Sequence, residues 1–149
     1  MRERSTLALG RRSVVVHLNL ADERSVREVG PAAFDALGRL DVWINNAGAD
    51  ILTGDGASLS ATEKLDRLLA VDLRGTIMAS WQAVALLEAR PTGGVIINMS
   101  WDHVLTGMAG RNPQMYAAVK GGILAFSKSL ARSVAPRIRV NVLAPGWIE

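Results

Sequence analysis

Four short apolar runs separated by helix-length segments restrict what this chain can fold into. They are Ser13 to Leu18, Leu40 to Ile44, Val95 to Met99 and Ile138 to Leu143. Strands that alternate with long helical patterns point to β-α units around a parallel sheet. The runs do not alternate polar with apolar residues, so they read as strands covered on both faces. The expectation is an α/β fold of about four strands with flanking helices, in a single domain spanning 1–149.

The helix boundaries are marked by residues whose side chains or conformations suit chain ends. Asp22 can accept from the first free amides of a helix running to about Leu37, where Gly38 can take the left-handed conformation that stops it. Gly30-Pro31 falls in the middle of that helix and is a place where it could be disturbed. Ser60-Ala61-Thr62-Glu63 has the form of a capping box and opens a helix that can run to about Ala89. A third helix is expected from about Pro113 to Val134. The last two carry apolar residues on more than one face, as Ile77, Met78, Trp81, Val84 and Leu87 show. Such a face packs either inside the protein or against a second copy.

Composition narrows the function classes. A chain of 149 residues with 49% hydrophobic content can build a sizeable core, and it has no cysteine for disulfides or thiolate metal sites. A cysteine-free chain fits a reducing compartment, so a cytoplasmic protein is expected. No apolar stretch reaches the ~18 residues of a membrane helix. The net charge of +3 comes from an arginine-rich surface, and aromatic residues are only 5%, too few for a basic stripe interleaved with stacking rings. No nucleic acid or membrane partner is expected. His17 lies in a strand pattern without metal-ligand partners, and no metal site is expected.

Chemistry is suggested by Met115-Tyr116-Ala117-Ala118-Val119-Lys120. Positions i and i+4 share a helix face, so an ammonium lies beside a phenol and eases loss of its proton. A phenol so placed can exchange a proton with an alcohol or carbonyl oxygen. Two further motifs flank it: Asn45-Asn46-Ala47-Gly48 directly after the run Leu40 to Ile44, and Ala144-Pro145-Gly146 after the run Ile138 to Leu143.

With Asn-Asn-Ala-Gly, Tyr-x-x-x-Lys and Pro-Gly in this order, the sequence resembles the short-chain dehydrogenase/reductase family over almost its whole length. The resemblance implies a Rossmann-like doubly wound parallel sheet, NAD or NADP as cofactor, a small carbonyl or alcohol substrate, and a homo-oligomer assembled through the two long helices. It also implies that the chain is truncated, a single partial domain. No Gly-x-x-x-Gly-x-Gly or Gly-x-Gly-x-x-Gly occurs, so the backbone cradle for the pyrophosphate is missing. The chain stops at Trp147-Ile148-Glu149, before the expected substrate-covering segment. Weak or no activity is therefore expected of these residues alone. With the two intervening strands absent, Ser13 to Leu18 is expected to pair directly with Leu40 to Ile44 through a right-handed crossover.

The same resemblance implies roles for particular residues. Tyr116 is the general acid/base, and Lys120 is the cation beside it that also holds the nicotinamide ribose. Asn19 and Leu20 would contact the adenine, Asn45, Ala47 and Gly48 would lie under the dinucleotide, and Pro145, Gly146 and Ile148 would flank the nicotinamide. Two positions depart from the family pattern. Ser100-Trp101 stands where a serine pair is usual, so the customary catalytic hydroxyl is replaced by an indole; Ser100 is the candidate substitute, with Asp102, His103 and Thr106 as alternatives. Asp72 stands in Val71-Asp72-Leu73-Arg74-Gly75 where asparagine often holds a water linking lysine to solvent. It could accept that hydrogen bond or be a helix-surface aspartate. A non-catalytic binding or assembly module is the rival reading.

Overall fold

A computed structural model describes residues 13–146. The elements run α1 (Glu23–Leu37), β1 (Val42–Asn45), α2 (Gly54–Ser58), α3 (Ala61–Leu68), a π-helical stretch (Leu69–Gly75), α4 (Thr76–Glu88), β2 (Gly94–Met99), a 3-10 turn (Asp102–Val104), α5 (Arg111–Val134) and β3 (Ile138–Leu143). The sheet is parallel in the order β1-β2-β3, with Val42 opposite Val95 and Val95 opposite Arg139. This is a truncated Rossmann-like α/β arrangement.

The expected helix signals operate as read. Asp22 accepts from the Arg24 amide, and Gly38 ends α1 at φ 81° with its N–H on the Phe34 carbonyl. Pro31 sits inside α1 without ending it. Ser60 and Glu63 form the reciprocal capping box of α3. The helix predicted from there to Ala89 is continuous in direction but contains the seven-residue π stretch. Arg39 and Arg90 clamp Asp41 just before β1, and their hydrogen bonds hold its carboxyl down to about 2.

Two expectations about the sheet are corrected. Ser13 to Leu18 forms no strand and does not pair with β1, so the sheet has three strands rather than four and the free edge of β1 is unpaired among the described residues. His17, read as a strand residue, is exposed on this non-strand segment. Instead of pairing, the segment's end feeds the core: Leu18 and Leu20 pack with Val26, Trp43 and Ala79 between α1 and α4. Burying these side chains against two helices wins over a backbone ladder because the Asp22 cap turns the chain into α1 immediately after Leu20.

Among the described residues the sheet is also covered on one face only. Ile96, Asn98 and Ile138 point toward α4 and α5 and are buried, together with Ala83, Leu87, Leu130 and Val134. On the other face Val42, Ile44 and Leu143 are 49%, 57% and 53% exposed. The two faces alternate along each strand, as the two-residue period requires. Apolar runs therefore reported strands with two apolar faces, while the described residues bury just one of them.

Candidate functional site

The motif residues meet at the C-terminal end of β1 and β2. Asp72, which the π stretch turns inward, is 1% exposed. Its Oδ2 lies 3.0 Å from Lys120 Nζ, and its Oδ1 accepts the Ala49 amide at 2.8 Å. It is thus no surface aspartate; it ties the α5 lysine to the loop that follows Asn45-Asn46-Ala47-Gly48. Gly48 lies against the same carboxylate, and a Cβ there would sit 3.0 Å from Oδ2. Lys120 Nζ also donates to the Met99 carbonyl at the end of β2, 3.4 Å away. An ammonium buried with a carboxylate and a carbonyl has its charge compensated where water cannot do so. The π register explains the inward aim, because an inserted residue rotates the side chains that follow it; such bulges recur at functional sites.

Tyr116, half-buried one turn before Lys120, has its ring centroid 5.3 Å from Lys120 Nζ. It packs against the cluster of Ile51, Leu68 and Val119, and its hydroxyl makes no hydrogen bond among the described residues. The phenol is therefore held by apolar contacts with its oxygen available. Edge-on to it stands Trp101, centroids 5.3 Å apart at 71°. Trp101 stacks on His103 at 4.9 Å and 27°, and His103 Nδ1 is 2.6 Å from Asp102 Oδ1. The Asp102 carboxylate lies so close to Gly146 that a Cβ there would collide with it. The loop after β3 is thereby brought against the 3-10 turn.

Other predicted site residues have different occupations. Ser100 is 3% exposed and donates from Oγ to the Lys120 carbonyl at 3.0 Å, so it braces α5 and has no free hydroxyl at the phenol. Asn45 is drawn inward: its Nδ2 donates to Asn98 Oδ1 at 2.8 Å and to Ser80 Oγ at 3.0 Å, while its Oδ1 accepts the Trp43 indole N–H. Leu20 is a core residue, whereas Asn19 is exposed and its Oδ1 accepts the Ala21 amide. Ala47, Gly48, Pro145 and Gly146 are exposed, and Thr106 lies on an exposed turn. Ile148 lies outside the described residues.

Sequence reasoning missed the polar chain behind the site. Asn98 is fully buried and donates a hydrogen bond from Nδ2 to Ser127 Oγ, which in turn donates to the Ile123 carbonyl. A lone asparagine inside the apolar run Val95 to Met99 was the available signal. Asp50 adds a further latch: it accepts from the Thr53 hydroxyl and from the Thr53 and Leu52 amides, which holds its carboxyl down to about 2 and fixes the turn into α2.

This arrangement has known counterparts. Residues 2–149 match the family described as enoyl-(acyl carrier protein) reductase. The chain belongs to the short-chain dehydrogenase/reductase family. It is 38% identical to the uncharacterized oxidoreductase YxbG of Bacillus subtilis over 89% of this chain and 47% of that protein. It is 35% identical to the 3-oxoacyl-[acyl-carrier-protein] reductase FabG of Thermotoga maritima, over 89% of this chain and 52% of that one. A short-chain dehydrogenase from Mycobacterium smegmatis superposes with a TM-score of 0.82 at 28% identity, covering 99% of this chain and 60% of its own. ElxO, solved with NADPH bound, shares the fold at a TM-score of 0.79 and 23% identity, over 99% of this chain and 60% of its own. The chain spans about half the length of the curated relatives it matches. No helix of the described residues is long and apolar enough to cross a membrane.

Proposed function

We propose that the protein is an NAD(P)-dependent oxidoreductase acting between a small carbonyl compound and the corresponding secondary alcohol, with Tyr116 as general acid/base. The observation that carries this is the buried Lys120–Asp72 pair, seated under the phenol and fastened to the Asn-Asn-Ala-Gly loop. The nicotinamide would supply or accept the hydride, which no side chain can do. The residues present suit such a ligand. Ala47 and Gly48 offer exposed backbone without bulk where a parallel sheet opens. Lys120 Nζ has three protons and two acceptors in the protein, which leaves one donor for a ribose hydroxyl. Tyr116 then holds or gives the proton at the substrate oxygen. Asp72 holds the lysine in place as its buried partner, and Pro145 and Gly146 bound the nicotinamide side.

The 149 residues contain no glycine-rich phosphate turn, so alone they bind a dinucleotide weakly and turn over little or not at all. A homo-oligomer fits the apolar groove along the π stretch and α4, where Leu69 and Trp81 are 40% and 57% exposed. The cytoplasm is the proposed location. Calorimetry with NADH and NADPH, on this chain and on one extended upstream, tests the reading. Binding gained on extension, with carbonyl reduction that falls at least ~100-fold in Tyr116→Phe, is the expected result. An extended, folded chain that binds neither nucleotide would favour an assembly module, a reading that Trp101 in place of the family hydroxyl supports.

A further inference from the structure

Lys120 is held at both of its ends. Its backbone carbonyl accepts from Ser100 Oγ at 3.0 Å, and its Nζ lies 3.0 Å from Asp72 Oδ2 and 3.4 Å from the Met99 carbonyl. An ammonium carries three protons at tetrahedral angles, so two engaged acceptors stop its rotation and leave the third proton a single direction. The Met99 contact is long for a hydrogen bond, which makes the carboxylate the stronger of the two restraints. Asp72 is itself anchored. Its other oxygen, Oδ1, accepts the Ala49 amide at 2.8 Å. The backbone that carries it is pressed onto α5 where Leu73 lies on Gly122, and a Cβ there would come within 3.0 Å of Leu73 Cδ1. At 1% exposure, the Asp72 carboxylate takes its partners from the protein.

We propose that Asp72 is a positioning residue for the cofactor: its carboxylate, anchored by Ala49, fixes the direction in which Lys120 presents its third proton to a ribose hydroxyl. This rests on the oxidoreductase reading and adds that both oxygens of Asp72 are needed. The two groups that engage the carboxylate, an amide N–H and an ammonium, are both donors. Asparagine has one acceptor oxygen and an NH2 that is itself a donor, so it satisfies one of the two and sets a donor against the other. With the oxygen kept for Ala49, the lysine is left with the Met99 carbonyl alone and its ammonium turns. Asp72 therefore acts on the cofactor through Lys120, and the loop after β1 serves as the anchor of that lysine.

The test is a double-mutant cycle on cofactor affinity, read by calorimetry with NADH and NADPH in the chain extended upstream. Asp72→Asn should weaken nucleotide binding about 10-fold, the scale of one hydrogen bond to a charged group, and Lys120→Met by a similar factor. Both remove the same contact, so Asp72→Asn added to Lys120→Met should weaken binding by less than about 2-fold more. Ala49→Pro deletes the anchoring N–H while leaving Asp72 and Lys120 in place. It should repeat the effect of Asp72→Asn in both backgrounds, and it carries the cycle if Asp72→Asn does not fold. A role in the fold alone would lower affinity equally with and without the lysine. Equal losses in the two backgrounds, or an Asp72→Asn protein that binds as the parent does, overturn the proposal. The oxidoreductase reading then stands if the parent binds a nucleotide and reduces a carbonyl compound while Tyr116→Phe does not. An extended parent that binds neither nucleotide defeats both together.

Discussion

At the scale of single residues, the site is organised by a carboxylate that the motif pattern left ambiguous. Asp72 could be read as a solvated helix residue or as the acceptor of a water, and the structure makes it a direct partner of Lys120. The difference is one of burial: at 1% exposure the carboxylate cannot be left to water, and the ammonium beside it cannot be left unpaired. Asp72→Ala should accordingly destabilise the fold by about 3 to 5 kcal/mol, the typical result of orphaning one member of a buried pair. Asp72→Asn keeps an oxygen for the Ala49 amide and should lose less. Urea unfolding of both variants checks the order, and equal stabilities would show that the ion pair carries no weight. Tyr116 and Lys120 were legible because i,i+4 spacing on a helix is a local fact. Ser100 was not, because whether a hydroxyl faces a crevice or a neighbouring carbonyl depends on the helix packed behind it.

At the scale of elements, local signals set most boundaries. Asp22, Gly38 and the Ser60/Glu63 box sit where their hydrogen bonds require them, and Ile138–Leu143 is the strand expected. The π stretch could not be seen, since the Asp72–Lys120 pair it serves joins residues distant in sequence. The turn into β2 has a residue requirement of its own. Gly93 adopts φ 61°, and a Cβ there would run into the Arg137 carbonyl oxygen. Because the obstacle is backbone at the start of β3, it cannot rotate away. Gly93→Ala should cost about 2 kcal/mol or more, combining a left-handed alanine with displacement of β3 from β2. A thermal midpoint equal to that of the parent chain would refute this.

For the whole molecule, the bare sheet face has the largest consequence. Val42, Ile44 and Leu143 are exposed together beside a β1 edge that is unpaired among the described residues, a combination that favours association. Sedimentation of the isolated chain should show concentration-dependent self-association, reduced by Val42→Thr with Ile44→Thr; a chain that stays monomeric at high concentration would contradict it. The sequence by itself determined the α/β class, the helix ends and the family motifs, because each depends on residues close together along the chain. Only the tertiary structure decided that Ser13 to Leu18 feeds a helix core rather than the sheet, that Asp72 grips Lys120, that Ser100 turns away, and that Trp101 abuts Tyr116 with His103 stacked on it. Those outcomes depend on which distant surfaces come together to exclude water, and local spacing does not specify that.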